Sequence, residues 1–338
     1  ATFSVFNPER WVDSSAPVVD ASRWPFLDPF IMYFDTFMMS LLFLVSGLFT
    51  FSALERKGSK GFFITRLQRL GLPFTIGAIL LAPVAFWPSY LLSLSNPQIP
   101  YLASFFTSDG WPVGAPWFLW VLLLFNGLVA LANWKTPMLL AKLHRPPTIL
   151  IIFLVTIGTF LPMNWLIPTY KWLSLGPFDL QPARIVLYFA YFLLGMALST
   201  GQSWRMGGWP KHWGFWLVLG ILSFSSYMLL AGNSSSTLVA QTLTSIAFAA
   251  SCAGTSLGLL GVFRKLVRRH YPILDNLSAN SFGIYLLHYP LVHWFQFALL
   301  LAPWPAWIKF SITFSGALAL SWGMSGLLRQ IPIVRRIL

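Results

Sequence analysis

The sequence is short of charge, and shortest of acid. Of 338 residues, 9 are Asp or Glu and 22 are Lys or Arg, so charged side chains make up 9% of the chain. A soluble domain carries about 25%, and a surface this sparse excludes an ordinary water-soluble protein. The single cysteine, Cys252, lies in an apolar run and excludes a disulfide framework or a cysteine metal site. There is no HExxH, no GxSxG and no Walker A sequence, and the apolar runs carry no paired carboxylates. Metal-hydrolase, serine-hydrolase and nucleotide-hydrolase chemistries are therefore unsupported. No basic segment precedes an apolar one at the start of the chain, so no signal peptide is read there. No internal repeat stands out.

What remains is apolar. Hydrophobic residues make up 57% of the chain and the mean hydropathy is +0.69. Runs long enough for spanning helices fall at 30–54, 70–94, 116–134, 148–167, 183–200, 213–232, 237–261, 279–302 and 304–328. The expected fold is an all-α polytopic membrane helix bundle with nine spans, made of an external segment 1–28 and a single membrane domain 29–338.

Nine spans divide the connections into two sets. The connections 55–69, 135–147, 201–212 and 262–278, with the tail 329–338, hold 17 of the 22 Lys and Arg. The other set holds Arg10, Arg23, Lys171, Arg184 and Lys309. Positive charge concentrates on the cytoplasmic side, which places the N-terminus outside and the C-terminus inside. The net charge of +13 then reflects topology and attraction to anionic lipid, not nucleic-acid binding. A polar start placed outside without a signal calls for a helix upstream of Ala1, so ten helices are expected in the intact protein.

The stretch Leu41–Pro73 joins two apolar runs through a short turn carrying Glu55, Arg56, Lys57 and Lys60. Arg66 and Arg69 open the second run, three apart and hence on one helix face. They read either as anchors on the inner membrane surface or as phosphate-binding groups, since guanidinium pairs with phosphate oxygens at two points. Lys60 and Lys57 add charge to that site.

The eighth run reads SANSFGIYLLHYPLVHW. His288 lies ~15 Å along it from Ser278, near the middle of a bilayer core, with Tyr285 on the same face. A titratable group at that depth is either a functional residue facing a hydrated channel or a packed imidazole bonded to a carbonyl. His293 invites the second reading more strongly, and Pro290 removes a backbone donor between them. Asp35, about two turns into the first run, either reaches interfacial water, or lines the external mouth or orients another group. Ser46-Gly47 suits close helix packing, and Asn126 suits an interhelical bond. The loop 95–115, rich in Pro, Gly and aromatics, is expected to be structured over an external mouth. Residues 262–278, with Arg264, Lys265, Arg268 and Arg269, are expected to form a short amphipathic helix anchored on the inner surface. Asn233-Ser234-Ser235 matches a glycosylation sequon in a short turn.

Three blocks carry a resemblance. FLVSGLFT at 43–50 with RLQRLGLP at 66–73, PWFLWVLLLF at 116–125, and LSANSFGIYLLHYPLV at 277–292 resemble, in that order, motifs of the acyltransferase 3 family of integral membrane acyltransferases. The second block is similar to its glucan succinyltransferase branch. The resemblance implies an enzyme of about ten helices that takes an acyl group from cytoplasmic acyl-CoA and passes it to a carbohydrate hydroxyl, in a bacterial inner membrane. It implies acyl-CoA as donor with no metal, and acyl-CoA, a carbohydrate acceptor and membrane lipid as partners. Arg66, Arg69 and Lys60 would hold the CoA phosphates, and Tyr285 and His288 would line the reaction channel. The resemblance implies an essential His on a first helix, expected upstream of Ala1, and Ser40 stands where many members have Asp. Transport of a sugar or lipid-linked sugar is the rival reading, and a helix-bundle subunit without activity is a third.

Overall fold

A computed structural model describes residues 18–92, 100–107, 111–136, 147–169, 171–201, 204, 210–232, 237–266, 270–335 and 337. Ser108, Arg268, Arg269, the sequon at 233–235 and the start of the external segment, 1–17, lie outside the described residues. The described chain is overwhelmingly helical. Seven helical stretches among the described residues are long and apolar enough to cross a membrane: Pro25–Leu92, Trp117–Lys135, Ile149–Leu166, Pro182–Thr200, Trp213–Gly232, Leu238–Lys265 and Ala306–Leu328. The bundle is a polytopic membrane protein, as the composition requires.

The first stretch is 68 residues long, roughly 100 Å if straight and about three times the hydrocarbon core. It is divided at Gly58, whose φ of 64° and ψ of 169° leave the helical region. Only glycine takes that conformation freely. Helix α1 (Asp28–Arg66) contains this break, so the connection expected over 55–69 is helical apart from this single residue. Two π-helical turns follow, Leu67–Gly71 and Gly77–Leu81, with α2 (Leu72–Ile76) between them and α3 (Ala82–Leu92) after them.

Beyond α3, the short α4 (Tyr101–Thr107) folds back on it. The Tyr101 hydroxyl donates to the Pro83 carbonyl at 2.5 Å and the Trp111 indole to Ala78 at 3.2 Å. The described parts of the 95–115 loop are thus structured. Helices α5 (Trp117–Lys135) and α6 (Ile149–Leu166) come next. The all-α expectation missed a small antiparallel hairpin, β1 (Leu173–Leu175) and β2 (Phe178–Leu180), in register Leu173↔Leu180, Ser174↔Asp179 and Leu175↔Phe178. Its turn begins at Gly176 with φ 61°, the left-handed conformation that tight hairpins favour.

The remaining helices are α7 (Pro182–Thr200), α8 (Trp213–Gly232), α9 (Leu238–Leu266), α10 (Pro272–Ala298), α11 (Ala306–Leu328) and the short α12 (Pro332–Arg335). At 27 residues, α10 is about 40 Å long, enough to span. Its many polar side chains keep it out of the seven stretches selected by apolarity. No separate amphipathic helix occurs in the described part of 262–278. Arg264 and Lys265 sit in the last turn of α9, and Pro272 opens α10, the position where its fixed φ and missing N–H cost least.

Small residues set the closest contact. A Cβ on Gly47 of α1 would meet the Phe192 carbonyl oxygen of α7, and one on Gly195 of α7 would meet the Leu44 carbonyl oxygen of α1. The two backbones touch, as small-residue seams in membrane helices allow. Phe43, fully buried beside this crossing, packs at 4.7 Å from Phe118, 5.1 Å from Phe125 and 5.1 Å from Tyr188. Helices α6, α8 and α11 bury the least and turn residues such as Leu154, Val218 and Phe314 outward, as lipid-facing helices do.

Candidate functional site

Helix α10 carries Tyr285, His288 and His293, and its neighbours decide what each can do. Pro88 inside α3 lacks the N–H that would close the bond to the Val84 carbonyl. The Trp294 indole donates to that carbonyl at 2.9 Å. One residue on, His293 is buried and its Nδ1 bonds the Ala85 carbonyl at 3.1 Å. His293 is therefore a helix-to-helix tie, the packed imidazole that its position in the sequence invited.

His288 is partly buried and turned back on its own helix. Nδ1 lies 2.6 Å from the Tyr285 carbonyl and 3.2 Å from that of Ile284. A carbonyl accepts only from an N–H, so Nδ1 carries the proton, and in the neutral ring Nε2 keeps a lone pair. Tyr285 sits on the same face, its ring centroid 6.0 Å from that of His288. Its hydroxyl donates to the Ala115 carbonyl at the entry to α5. That proton is committed, so Tyr285 fixes the α5 entry against α10.

Arg66 and Arg69 close the other candidate group. Arg66 is the last residue of α1 and its guanidinium lies 5.1 Å from the Phe62 ring. Arg69 falls within the π-helical turn, where more residues complete each turn than in an α-helix. The pair is therefore less closely aligned than a three-residue spacing on a regular helix implies. Arg69 and Lys60 are exposed. Among the described residues no hydrogen bond or ring contact joins Arg66 or Arg69 to Tyr285 or His288. Neither of the two cavities described below is lined by any of these four.

The family model described as an acyltransferase domain matches residues 14–326. The chain belongs to the acyltransferase 3 family. No curated protein and no solved structure matches it. The polytopic helical bundle and the family together make it a membrane acyltransferase.

Three polar features of this acyltransferase escaped the sequence reading. The first is the pair Asp35–Arg184. Arg184 on α7 is buried and grips Asp35 of α1 at two points, Nη1 to Oδ1 at 2.9 Å and Nη2 to Oδ2 at 2.7 Å. Asp35 thus orients another group, while its own side chain stays exposed. The partners are 149 residues apart, and only their opposite signs at similar depth hinted at the pairing.

The second is Asp179 on β2, outside the membrane-spanning helices. Its backbone carbonyl accepts from the Trp120 indole at 2.8 Å. Its side chain takes a long 3.5 Å bond from the Val113 N–H and support from the cross-strand Ser174, while Oδ1 is buried without a partner. Burial raises its carboxyl above the usual range, against the smaller opposing effects of Ser174 and Val113. The third is Lys309 of α11, buried against Asp20 at 2.6 Å. A cavity of about 160 Å³ adjoins that pair.

At the other end, a more open cavity of about 430 Å³ is lined by Glu55, Ser199, Trp204 and Arg264. The Arg264 guanidinium lies 3.9 Å from the Trp204 ring centroid, a cation–π contact. Arg264 is held by protein, not solely by lipid as its basic cluster implied. Among the described residues, no three His, Cys, Asp or Glu side chains gather as metal ligands.

Proposed function

We propose that this membrane acyltransferase moves an acetyl- or succinyl-type group from cytoplasmic acyl-CoA to a hydroxyl of a glucan or surface polysaccharide. The proposal places it in a bacterial inner membrane, with the start of the described chain outside and its C-terminus in the cytoplasm. The observation that carries the reading is the family match over residues 14–326. The positive-inside distribution of Lys and Arg supports the orientation.

In the proposed reaction the acceptor hydroxyl attacks the thioester carbonyl. A C–O bond forms, the C–S bond breaks, and the hydroxyl proton passes by way of a base to the departing CoA sulfur, which leaves as the thiol. Arg66, Arg69 and Lys60 offer positive charge to the CoA phosphates. His288, with Nδ1 tied to the backbone, offers Nε2 as an assisting proton acceptor. Tyr285 holds the entry to α5 beside it.

The test is transfer in liposomes holding the full chain. Radiolabelled acetyl-CoA and succinyl-CoA are supplied on one side and short gluco-oligosaccharides on the other. Ester-linked label on the oligosaccharide is expected. Oligosaccharide uptake that needs no acyl-CoA, with no ester formed, would instead make the protein a transporter.

A further inference from the structure

The open cavity at the end of α7 and α9 carries both signs of charge. Glu55 and Asp275 are the two acids in the connections that hold most of the Lys and Arg. Asp275 lies 3.4 Å from His270. Glu55 is exposed, and among the described residues no ion pair engages it, although Arg56, Lys57 and Lys60 follow it closely. Lys57 turns to the Thr65 hydroxyl instead, at 3.2 Å. Glu55 lines a cavity of about 430 Å³ whose wall also carries Arg264. That volume falls within the ~300–1,000 Å³ of small-molecule sites.

Depth fixes the setting. Glu55 is ~40 Å along α1 from Asp28, and Arg264 is ~39 Å along α9 from Leu238. A bilayer is ~40–45 Å thick with its headgroups and ~30 Å without them. The two charges therefore stand level, in the headgroup layer opposite Asp28. Leu48, about two turns back from Glu55, lines the cavity on the hydrocarbon side. Phe49 and Phe263, next in sequence to lining residues, are exposed.

A ligand for this place carries a cation for Glu55 and an anion for Arg264. Ser52 also lines the cavity. It is three residues before Glu55 and so on the same helix face. Carboxylate and hydroxyl together suit an ammonium that still has N–H donors. The Arg264 guanidinium, held over the Trp204 ring, has the forked N–H geometry that matches phosphate. A polyanion would set one of its charges against Glu55.

We propose that this cavity binds the headgroup of a phospholipid bearing a primary ammonium. The ammonium sits on Glu55 and Ser52, the phosphate on Arg264, and the hydrocarbon beside Leu48 and Phe49. The site does not depend on which acyl donor or acceptor the enzyme uses.

The probe is a phosphatidylethanolamine with a diazirine near the start of one acyl chain. It is added to phosphatidylcholine liposomes holding the full chain and mapped by mass spectrometry of the labelled peptides. Saturable labelling is expected within Leu48–Glu55. Unlabelled phosphatidylethanolamine should displace the probe about tenfold better than phosphatidylglycerol, which lacks the cation, or extra phosphatidylcholine, which lacks the N–H donors. Glu55→Gln should erase most of that preference. Arg264→Gln should weaken phosphatidylethanolamine and phosphatidylglycerol alike. Either of those two lipids competing as well as phosphatidylethanolamine in the wild type would overturn the headgroup assignment. Displacement by soluble phosphoethanolamine at the same concentration would overturn the lipid as source and leave a site for a free zwitterion. The wild-type competition decides the matter even if neither variant accumulates.

Discussion

The seam of α1, α7 and α9 and the face of α10 both tie helices together through polar side chains, and they differ in what stands beside those ties. On the seam, polar groups reach across to other helices. The Tyr33 and Thr255 hydroxyls meet at 2.9 Å, Thr156 meets Tyr191 at 3.0 Å, the Cys252 thiol donates to Tyr191 at 3.4 Å, and Arg184 grips Asp35. Where a seam donor goes unpaired, as at Arg184 Nε, the guanidinium still lies over the Phe248 ring, 5.1 Å from its centroid. Along α10 and the hairpin, acceptors are left over instead: His288 Nε2 by its tautomer, and Asp179 Oδ1 and Gln296 Oε1 by the absence of a donor. A polar group in hydrocarbon is costly unless partnered. The seam therefore reads as scaffold, and under the proposed function the acceptors left over on the α10 side are the ones offered to a substrate.

The largest effect should come from breaking the seam's ion pair, and it should be asymmetric. Asp35→Asn strands the buried Arg184 charge and should cost about 4 kcal/mol of stability. Arg184→Met leaves only Asp35, whose side chain is 58% exposed, and should cost clearly less. The double variant should recover most of the loss. Thermal denaturation in detergent measures all three, and equal costs for the two single changes would contradict the seam as described. Next comes Gly195→Ala, which pushes a Cβ onto the Leu44 carbonyl oxygen. Overpacking against an immovable backbone should cost about 3 kcal/mol. Near-neutral stability would mean that α1 and α7 are not in backbone contact.

The spans of this scaffold were largely legible in the sequence, because a bilayer demands long apolar runs and few other arrangements satisfy it. The close packing at Gly47 was legible too, as a small residue in an apolar helix. What was not legible depends on contacts distant in sequence. Nothing near Trp294 announces that Pro88 frees a carbonyl for it. The hairpin's three-residue strands are too short to show a period of two. The turn expected near residue 55 failed because charged residues tolerate helix as well as loop, and only Gly58 marks the break. Of the candidate site, the adjacency of Tyr285 and His288 followed from helix spacing. The commitment of the Tyr285 proton to Ala115 did not.

On the substrate side, effects should be smaller in stability and larger in function. Arg66→Ala and Arg69→Ala should each weaken acyl-CoA binding by about 2 kcal/mol without lowering the melting temperature. Lys at either position should restore only part of it. Unchanged acyl-CoA affinity in the double Ala variant would reduce both to surface anchors.

The smallest expected effect is at Asp179. Burial raises its carboxyl in the folded state, so the folded chain holds that proton more tightly than the unfolded chain does. The stability this contributes is complete below the unfolded value, near 3.8, and is lost as pH rises through the folded value. Asp179→Asn should therefore stabilise the protein at neutral pH by about 1 kcal/mol. The advantage should fade in acid. A destabilised Asn variant at neutral pH would mean that the charged carboxylate has partners strong enough to offset its burial.

The account stands most directly on His288, the imidazole whose Nδ1 is bound and whose Nε2 is offered. Single-turnover acyl transfer by His288→Gln, measured beside its melting temperature and acyl-CoA affinity, is the deciding measurement. The account predicts a loss of about a hundredfold in rate, with stability and acyl-CoA affinity at wild-type levels. Wild-type turnover in that variant would contradict it and leave His288, like His293, a packing residue.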